Sequence, residues 1–568
     1  MRKPADLIYG VEDTPPKLSL LLLGLQHVVL LITSLLASVF FARELGLAGN
    51  QAQGLVNVGL LAGGAATILQ ALVRGPVGSG YFCPHSSSFI YLQTSLMAVH
   101  TGGLALVHGM TMVSGVAEVG LAWLVRRLRA LFPAEVSGLV VASVGFTLAP
   151  YAMKSLLGCG GLDCISEPRE IWVGVSTLAL VVALSVWGKG WLRLYSIGFG
   201  VAFGYVAGWL AGLIPPQSLQ KLAEMPLVDF PVLDHAGFSF DATLLGPFLL
   251  AALCASLKAV GDVITCQKIN DADWLRPDMK NVGRGLAAEG LGTVAAGLLG
   301  GTGLSSSSSN IGLSLATGAT SRRLGLATGG LFMALAFLPQ FATLLTMMPS
   351  PVTGAIIMYA ACFMLVTGWR IIMTRMIDAR KTFVIGLSLL AGITVQTSPE
   401  LFLQLNHWMQ PIFTSSLTIS ALFAVILNLI FRLGIRSRIL LTLAPGQATG
   451  RDIQDFFERA GATWGARRDV VYRALASVTE FWEAAEAHAL ASGDIAVRVK
   501  FDELSLDVEI SYRGREICLP LERPTQEEML ELDDGFLRLA GFLIMQMGDR
   551  VKSETKDGAC RLLIHFDH

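Results

Sequence analysis

Five consecutive serines, Ser305–Ser309, run into Asn310-Ile311-Gly312-Leu313-Ser314-Leu315-Ala316-Thr317-Gly318 between two long apolar segments. The stretch lacks the roughly 20 apolar residues that an ordinary spanning helix needs. Backbone that leaves the helical pattern at membrane depth survives only where protein buries it or a water-filled cavity meets it. Segments interrupted in this way are where transporters hold their solutes. The serine run therefore predicts a solute site inside a membrane protein.

Composition agrees with a membrane setting. Of 568 residues, 53% are hydrophobic and 15% charged, and the mean hydropathy is +0.59. The formal net charge of −1 says nothing about partners, and nucleic acid is not expected among them. Residues 1–17 are polar, and the apolar run at 18–42 is too long for the core of a signal peptide.

Apolar runs of spanning length number about fourteen. They lie near 18–42, 55–73, 82–98, 104–124, 134–153, 171–188, 192–213, 243–264, 283–300, 309–318, 323–345, 350–368, 382–397 and 412–433. Basic residues crowd alternate connections: Arg126 and Arg127, Lys189 and Arg193, Lys268 and Lys280, Arg322 and Arg323, Arg380 and Lys381. By the positive-inside rule these face the cytoplasm, which requires an even number of spans and places both termini inside a cell (inner) membrane. Serine clusters at 86–88 and 305–309 each fall in the third segment of a run of seven. Two halves of seven spans must be opposed in the membrane, as in inverted-repeat transporters.

Ionisable residues inside spans are costly and mark functional sites. Gln26-His27 lies in the first segment, and His85 opens the third. Lys258 and Asp262 sit four apart in the eighth, hence on one helix face. Glu118 and Glu289 are further intramembrane carboxylates. Interhelical hydrogen bonding alone would also account for Gln26 and His27. A purely structural ion pair would account for Lys258 and Asp262. No paired Cys-x-x-Cys motif or histidine cluster suggests a metal, and no cofactor is expected. Cys159 and Cys164 share a Gly-rich outer loop where a disulfide would be possible in an oxidising compartment.

Several of these residues resemble the nucleobase–ascorbate transporter family, which includes xanthine, uracil and uric acid permeases. The matching residues are Gln26-His27, Ser87-Ser88-Phe89, Val260-Gly261-Asp262 and Ser309 to Gly318. In the last, nine of ten positions fit the family signature Gln/Glu/Pro-Asn-x-Gly-x-x-x-x-Thr-Arg/Lys/Gly. The resemblance covers roughly residues 15–435. It implies an all-α polytopic fold of about fourteen spans in two inverted repeats, with core spans 1–4 and 8–11 and gate spans 5–7 and 12–14. Short strands in spans 3 and 10 would meet near mid-membrane. It implies an elevator-type secondary transporter, no enzyme, set in lipid as a homodimer.

By the same resemblance, the substrate would be a nucleobase-like or anionic heterocycle: a purine such as xanthine or urate, or uracil. Gln26, His27, Ser87, Ser88, Phe89, Lys258, Asp262, Ser308, Ser309 and Asn310 would bind it. Lys258, Asp262 and His27 would serve coupling, with H+ or Na+ as the open choices of ion. Two departures stand out. Lys258 occupies the position where the family usually carries glutamate, and Ser309 the place of Glu or Gln. The charge reversal suits an anionic ligand or uncoupled movement. A substrate-sensing receptor and an anion transporter of similar fold are the alternative readings.

After a linker at 435–449, residues 450–568 are polar enough for a soluble α/β domain. Helices are expected at 451–461, 467–490 and about 525–548, and strands at 495–501, 504–512 and 560–566. The order weakly resembles the ATP-binding fold of anti-sigma-factor and histidine kinases, with Glu480 and His488 on one helix. Ala484 replaces that family's asparagine, and Tyr512 replaces the aspartate expected before Gly514. The resemblance then implies lost nucleotide binding and a regulatory, dimerising or docking role.

Overall fold

A computed structural model describes residues 2–568 except 48, 74, 129–133, 159–166, 273, 275–276, 374–375, 403–404, 407–409, 414, 433–437, 447–448, 503–504, 521, 526–533 and 557. Cys159 and Cys164 lie outside the described residues. The chain divides into two compact units. One comprises residues 1–128, 136–370 and 386–425; the other comprises 129–135, 371–385 and 426–568.

The first unit is built from helices, most of them apolar. In chain order they are α1 (Lys17–Glu44), α2 (Asn50–Ala71), α3 (Leu92–Leu128), α4 (Ala134–Leu156), α5 (Pro168–Trp187), α6 (Ser196–Leu210), α7 (Pro216–Glu224), α8 (Leu245–Asn270), α9 (Met279–Leu299), α10 (Ser308–Thr317), α11 (Arg322–Leu335), α12 (Pro339–Thr346), α13 (Ser350–Met373), α14 (Ala379–Thr397) and α15 (Ser416–Arg432). The last residues of α13, the first of α14 and the end of α15 belong to the second unit. Among the described residues, seven helices are long and apolar enough to cross a membrane, or eight if α11 and α12 form one bent span.

Two places depart from the run-by-run reading. The apolar run at 323–345 divides into α11 and α12, bent by 80°. The runs at 82–98 and 104–124 meet in α3, whose helical backbone breaks at Gly102 and Gly103. Ahead of α3 the chain is extended: His85–Ser87 forms strand β1, which pairs antiparallel with β2 (Leu304–Ser306). Local hydrogen bonding by serine side chains competes with helix, and β-strand pairing then satisfies the backbone that helix would have satisfied. Ser88 caps the turn that follows, its hydroxyl accepting from the Ile90 N–H.

Close packing holds this strand pair in place. A Cβ on Gly63 of α2 would stand 2.9 Å from the His85 carbonyl oxygen and 3.2 Å from Ser86 Cα. Only glycine lets α2 lie against β1 at that distance. Phe40, Phe41, Tyr91, Phe248 and Phe332 are completely buried nearby in the apolar clusters of this unit.

The second unit contains a five-stranded antiparallel sheet, ordered β3-β4-β5-β7-β6: β3 (Arg438–Leu443), β4 (Ile495–Asp502), β5 (Ser505–Arg513), β6 (Arg550–Lys556) and β7 (Ala559–Asp567). Alternation makes one face apolar: Leu506, Val508, Ile510 and Tyr512 of β5 pair with Phe566, Ile564, Leu562 and Cys560 of β7. The helices α16 (Gly450–Trp464), α17 (Arg468–Ala487) and α18 (Gly535–Met547) add Ile453, Phe457, Val470, Phe481 and Ile544 to the same core. Thr449 and Asp452 form a capping box that starts α16.

Two details differ from the sequence reading. β3 lies in the stretch taken as linker, since its side chains alternate weakly and it sits at the sheet edge. β6 is too polar to announce itself. The third expected helix is seen at Gly535–Met547, and its expected residues 526–533 lie outside the described residues. Tyr512 is buried against Phe481, ring centroids 5.1 Å apart, and donates its hydroxyl to the Arg515 carbonyl.

Candidate functional site

The strand pair places the serine run deep in the first unit. His85 faces Ser306, Ser86 faces Ser305 and Ser87 faces Leu304. The ladder extends by one bond at each end, from Ser88 N–H to the Gly303 carbonyl and from Ser307 N–H to the Pro84 carbonyl. α10 begins directly after β2, so its first turn opens beside the strands. The leading N–H groups of a helix lack intrahelical acceptors and carry partial positive charge.

α8 supplies the charges. Lys258 and Asp262, one turn apart, are joined at 3.2 Å, and each side chain is 10% exposed. Lys258 Nζ also donates to the Ser306 carbonyl. The Asp262 carboxylate accepts from the Ser306 hydroxyl at 2.6 Å and from the Ser308 hydroxyl at 2.8 Å. Lysine alone on this face would be a buried charge without compensation. Asp262 neutralises it, and the two serine hydroxyls donate one bond to each carboxylate oxygen.

A second cluster joins α1 to α10. His27 Nδ1 lies 2.8 Å from Asn310 Oδ1, and the Asn310 amide donates to the Ser307 hydroxyl at 3.0 Å. With the carboxamide oxygen as acceptor, the histidine hydrogen sits on Nδ1. Nε2 is left buried without a hydrogen-bond partner. The imidazole edge meets the Phe82 ring at a centroid distance of 4.6 Å. Both His27 and Asn310 are fully buried.

Other residues read from the sequence fall at varying distances from these clusters. Ser87 accepts a 2.8 Å bond from Ser38 on α1. Ser88 caps its turn, and Phe89 is half-buried between two apolar clusters. Gln26 is buried next to His27 and takes part in neither cluster. Ser309 is exposed in the first turn of α10.

Three more participants join these clusters: Ser306, which carries no individual mark in the sequence, and the intramembrane carboxylates Glu289 and Glu118, whose partners the sequence does not name. Ser306 is the hub: its N–H donates to Glu289, its carbonyl takes Lys258, and its hydroxyl binds Asp262. Five serines in a row look alike until strand register separates them. Glu289 also meets His85 Nε2 at 3.2 Å, behind the strands. Glu118 accepts from Tyr91 and, at 3.2 Å, from Thr293. A line of buried polar groups thus runs from α8 through β2 to α9. Among the described residues, no group of histidine, cysteine and carboxylate side chains could hold a metal ion.

The family model Xan_ur_permease, described as a permease family, matches residues 18–401. The chain belongs to this permease family. The match includes every element of the two clusters, from α1 to α10. It makes the chain a multi-pass membrane transporter rather than an enzyme.

Individual relatives span most of this permease. Xanthine permease XanP of Escherichia coli is 26% identical over 443 residues, covering 75% of this chain and 95% of the relative. A xanthine permease of Bacillus subtilis is 24% identical over 413 residues, covering 72% and 93%. Among solved structures, the transmembrane domain of the cyanobacterial bicarbonate transporter BicA aligns with a TM-score of 0.49 at 13% identity, covering 74% of this chain and 99% of that one.

Proposed function

We propose that this permease carries a purine such as xanthine across the membrane, and that its substrate sits against β1, β2 and the first turn of α10. The observation that supports this most is the placement of Lys258. Its ammonium is fixed by Asp262 and the Ser306 carbonyl beside a helix N-terminus that offers unpaired N–H groups. An oxopurine presents carbonyl oxygens and ionisable ring N–H groups. The free N–H groups of Ser308 and Ser309 suit its oxygens, and the cation suits its anionic form. Asn310, fixed by His27, adds a carboxamide at the inner end of the site.

In this reading the transporter has fourteen spans in two inverted repeats, with both termini in the cytoplasm and an inner-membrane location. It works as a dimer by moving α1–α3 and α8–α12 against α4–α6 and α13–α15. Lys258, set where the family usually carries glutamate, makes its pair with Asp262 neutral rather than doubly acidic, so in this reading no co-transported proton or sodium ion is needed to neutralise the site. The test is uptake of radiolabelled xanthine into proteoliposomes across a range of pH and sodium. Uptake by the native protein that is independent of sodium and of an imposed proton gradient supports the reading. Lys258→Gln should then lose uptake of the anionic form. Uptake that is abolished by collapsing the proton gradient would overturn the uncoupled mechanism, and absence of any purine flux would overturn the substrate class.

A further inference from the structure

Residues 2–13 do not trail away from the first unit. They cross the ends of the two helices that carry the site. The Arg2 N–H donates to Asp271 Oδ1 at 2.7 Å, and its carbonyl accepts from Ala272 N–H at 2.8 Å, just beyond α8. Tyr9 N–H donates to the Gly318 carbonyl at 2.9 Å, and its own carbonyl accepts from Thr320 N–H at 2.8 Å. The Val11 carbonyl accepts from Arg322 N–H at 3.0 Å, and the Asp13 carbonyl from the Ser321 hydroxyl at 2.6 Å. Arg322 also pairs with Glu12. These bonds make the segment a short parallel partner of the connection between α10 and α11.

The segment is also packed. Leu7 and Val11 are 5% and 8% exposed. Val11 belongs to a buried cluster with Tyr81, Cys83, Cys266 and Ile311. Cys266 lies one turn beyond Asp262 on α8, and Ile311 follows Asn310 on α10. The Thr320 hydroxyl, at 2.6 Å from Asn270 Oδ1, closes the same link between the two helices.

α10 needs such support. It has ten residues, fewer than the roughly 12–15 at which an isolated helix becomes even marginal. Ser307 gives it no side-chain cap, and it ends at once in left-handed Gly318. Its position is therefore set from outside: by β2 at the start and by residues 9–13 at the end. We propose that residues 2–13 are a positioning element of the solute site. They fix the spacing between α8 and α10, and through it the distance of Ser308 and Asn310 from Lys258 and Asp262. This rests on the reading that those four residues receive the solute.

The experiment compares full-length protein with a deletion of residues 2–13 and with the milder Val11→Ala, each purified in detergent. Xanthine affinity and amide hydrogen exchange are measured, the exchange without any solute present. The deletion should weaken xanthine binding roughly tenfold, and Val11→Ala should do so by a smaller factor. Exchange at 304–318 should quicken while exchange in α13 stays as in the native protein. Unchanged affinity with unchanged exchange at 304–318 would overturn the proposal. So would an equal rise in α13, which marks general loosening. If the native protein binds no xanthine and the exchange still changes only at 304–318, the positioning role stands and the purine reading falls. If the deletion does not fold, Val11→Ala decides by the same two readouts.

Discussion

Replacing Lys258 by Met tests the charge arrangement most directly. The ion pair with Asp262 spans 3.2 Å. Two unit charges at that distance attract by about 5 kcal/mol at an effective dielectric constant of about 20. Desolvation offsets much of this, so the pair adds little net stability over an apolar pair of similar size. Removing one member is different. Asp262 would keep its bonds from Ser306 and Ser308 but lose its cation, and the Ser306 carbonyl would lose a charged donor.

Breaking a buried pair in this way costs about 3–5 kcal/mol, and the 10% exposure of each side chain places the expected loss at the lower end. Adding Asp262→Asn should restore most of it, because no uncompensated charge then remains. The assay is a double-mutant cycle from denaturant titrations in mixed micelles. The two substitutions should couple by about 2–3 kcal/mol. Coupling below about 0.5 kcal/mol, the level of independent sites, would show that the two charges do not sense each other as described.

Four further outcomes follow from the same geometry. Ser306→Ala should weaken purine binding and cost about 1 kcal/mol of stability for the lost hydroxyl bond, while Ser309→Ala, at an exposed position, should stay within about 0.5 kcal/mol of native; equal losses would contradict the hub role of Ser306. Gly63→Ala should sharply reduce uptake at normal membrane levels, since its Cβ meets β1 backbone at 2.9 Å, and native-like uptake would refute that steric argument. Tyr512→Ala should destabilise the five-stranded domain by about 3 kcal/mol in differential calorimetry, and the native full-length protein should show no thermal shift with ATP. Asp13 is held below the ordinary carboxylate range by its bond from the Lys3 ammonium and then by the Gly10 N–H; its contribution is therefore full above the ordinary aspartate value and is lost as pH falls through the lowered one, so protection from exchange at residues 8–13, taken relative to the intrinsic amide rate at each pH, should fall in acid, and protection that does not change with acid would contradict this.

Much of the site was legible because the bilayer makes exceptions conspicuous. Lys258 and Asp262 stand out in an apolar segment, and their four-residue spacing already puts them on one face. His27 and Asn310 were separately visible as intramembrane polar groups, but nothing in the chain says that they touch. The serine run announced broken helix without revealing which hydroxyl does what. Ser306 emerged only from the register of β1 on β2, which alone separates its bonds from those of its neighbours. In the second domain, the alternating apolar residues of β5 and β7 could be read directly. β3 and β6 could not, because an edge strand with one partner needs no regular pattern to persist. Residues 2–13 read only as part of a polar tail, because their hold on α8 and α10 depends on backbone groups, which every sequence possesses.

The three-residue ladder between β1 and β2 also bears on how the protein is made. Residues 85–87 enter the bilayer long before residues 304–306 have been synthesised. Until then, the first strand exposes amide groups that lipid cannot satisfy. A half-made chain must therefore shelter that stretch with water, with an insertion factor or with a temporary fold. Premature termination in the second half would leave an unfinished seam for membrane proteases to find.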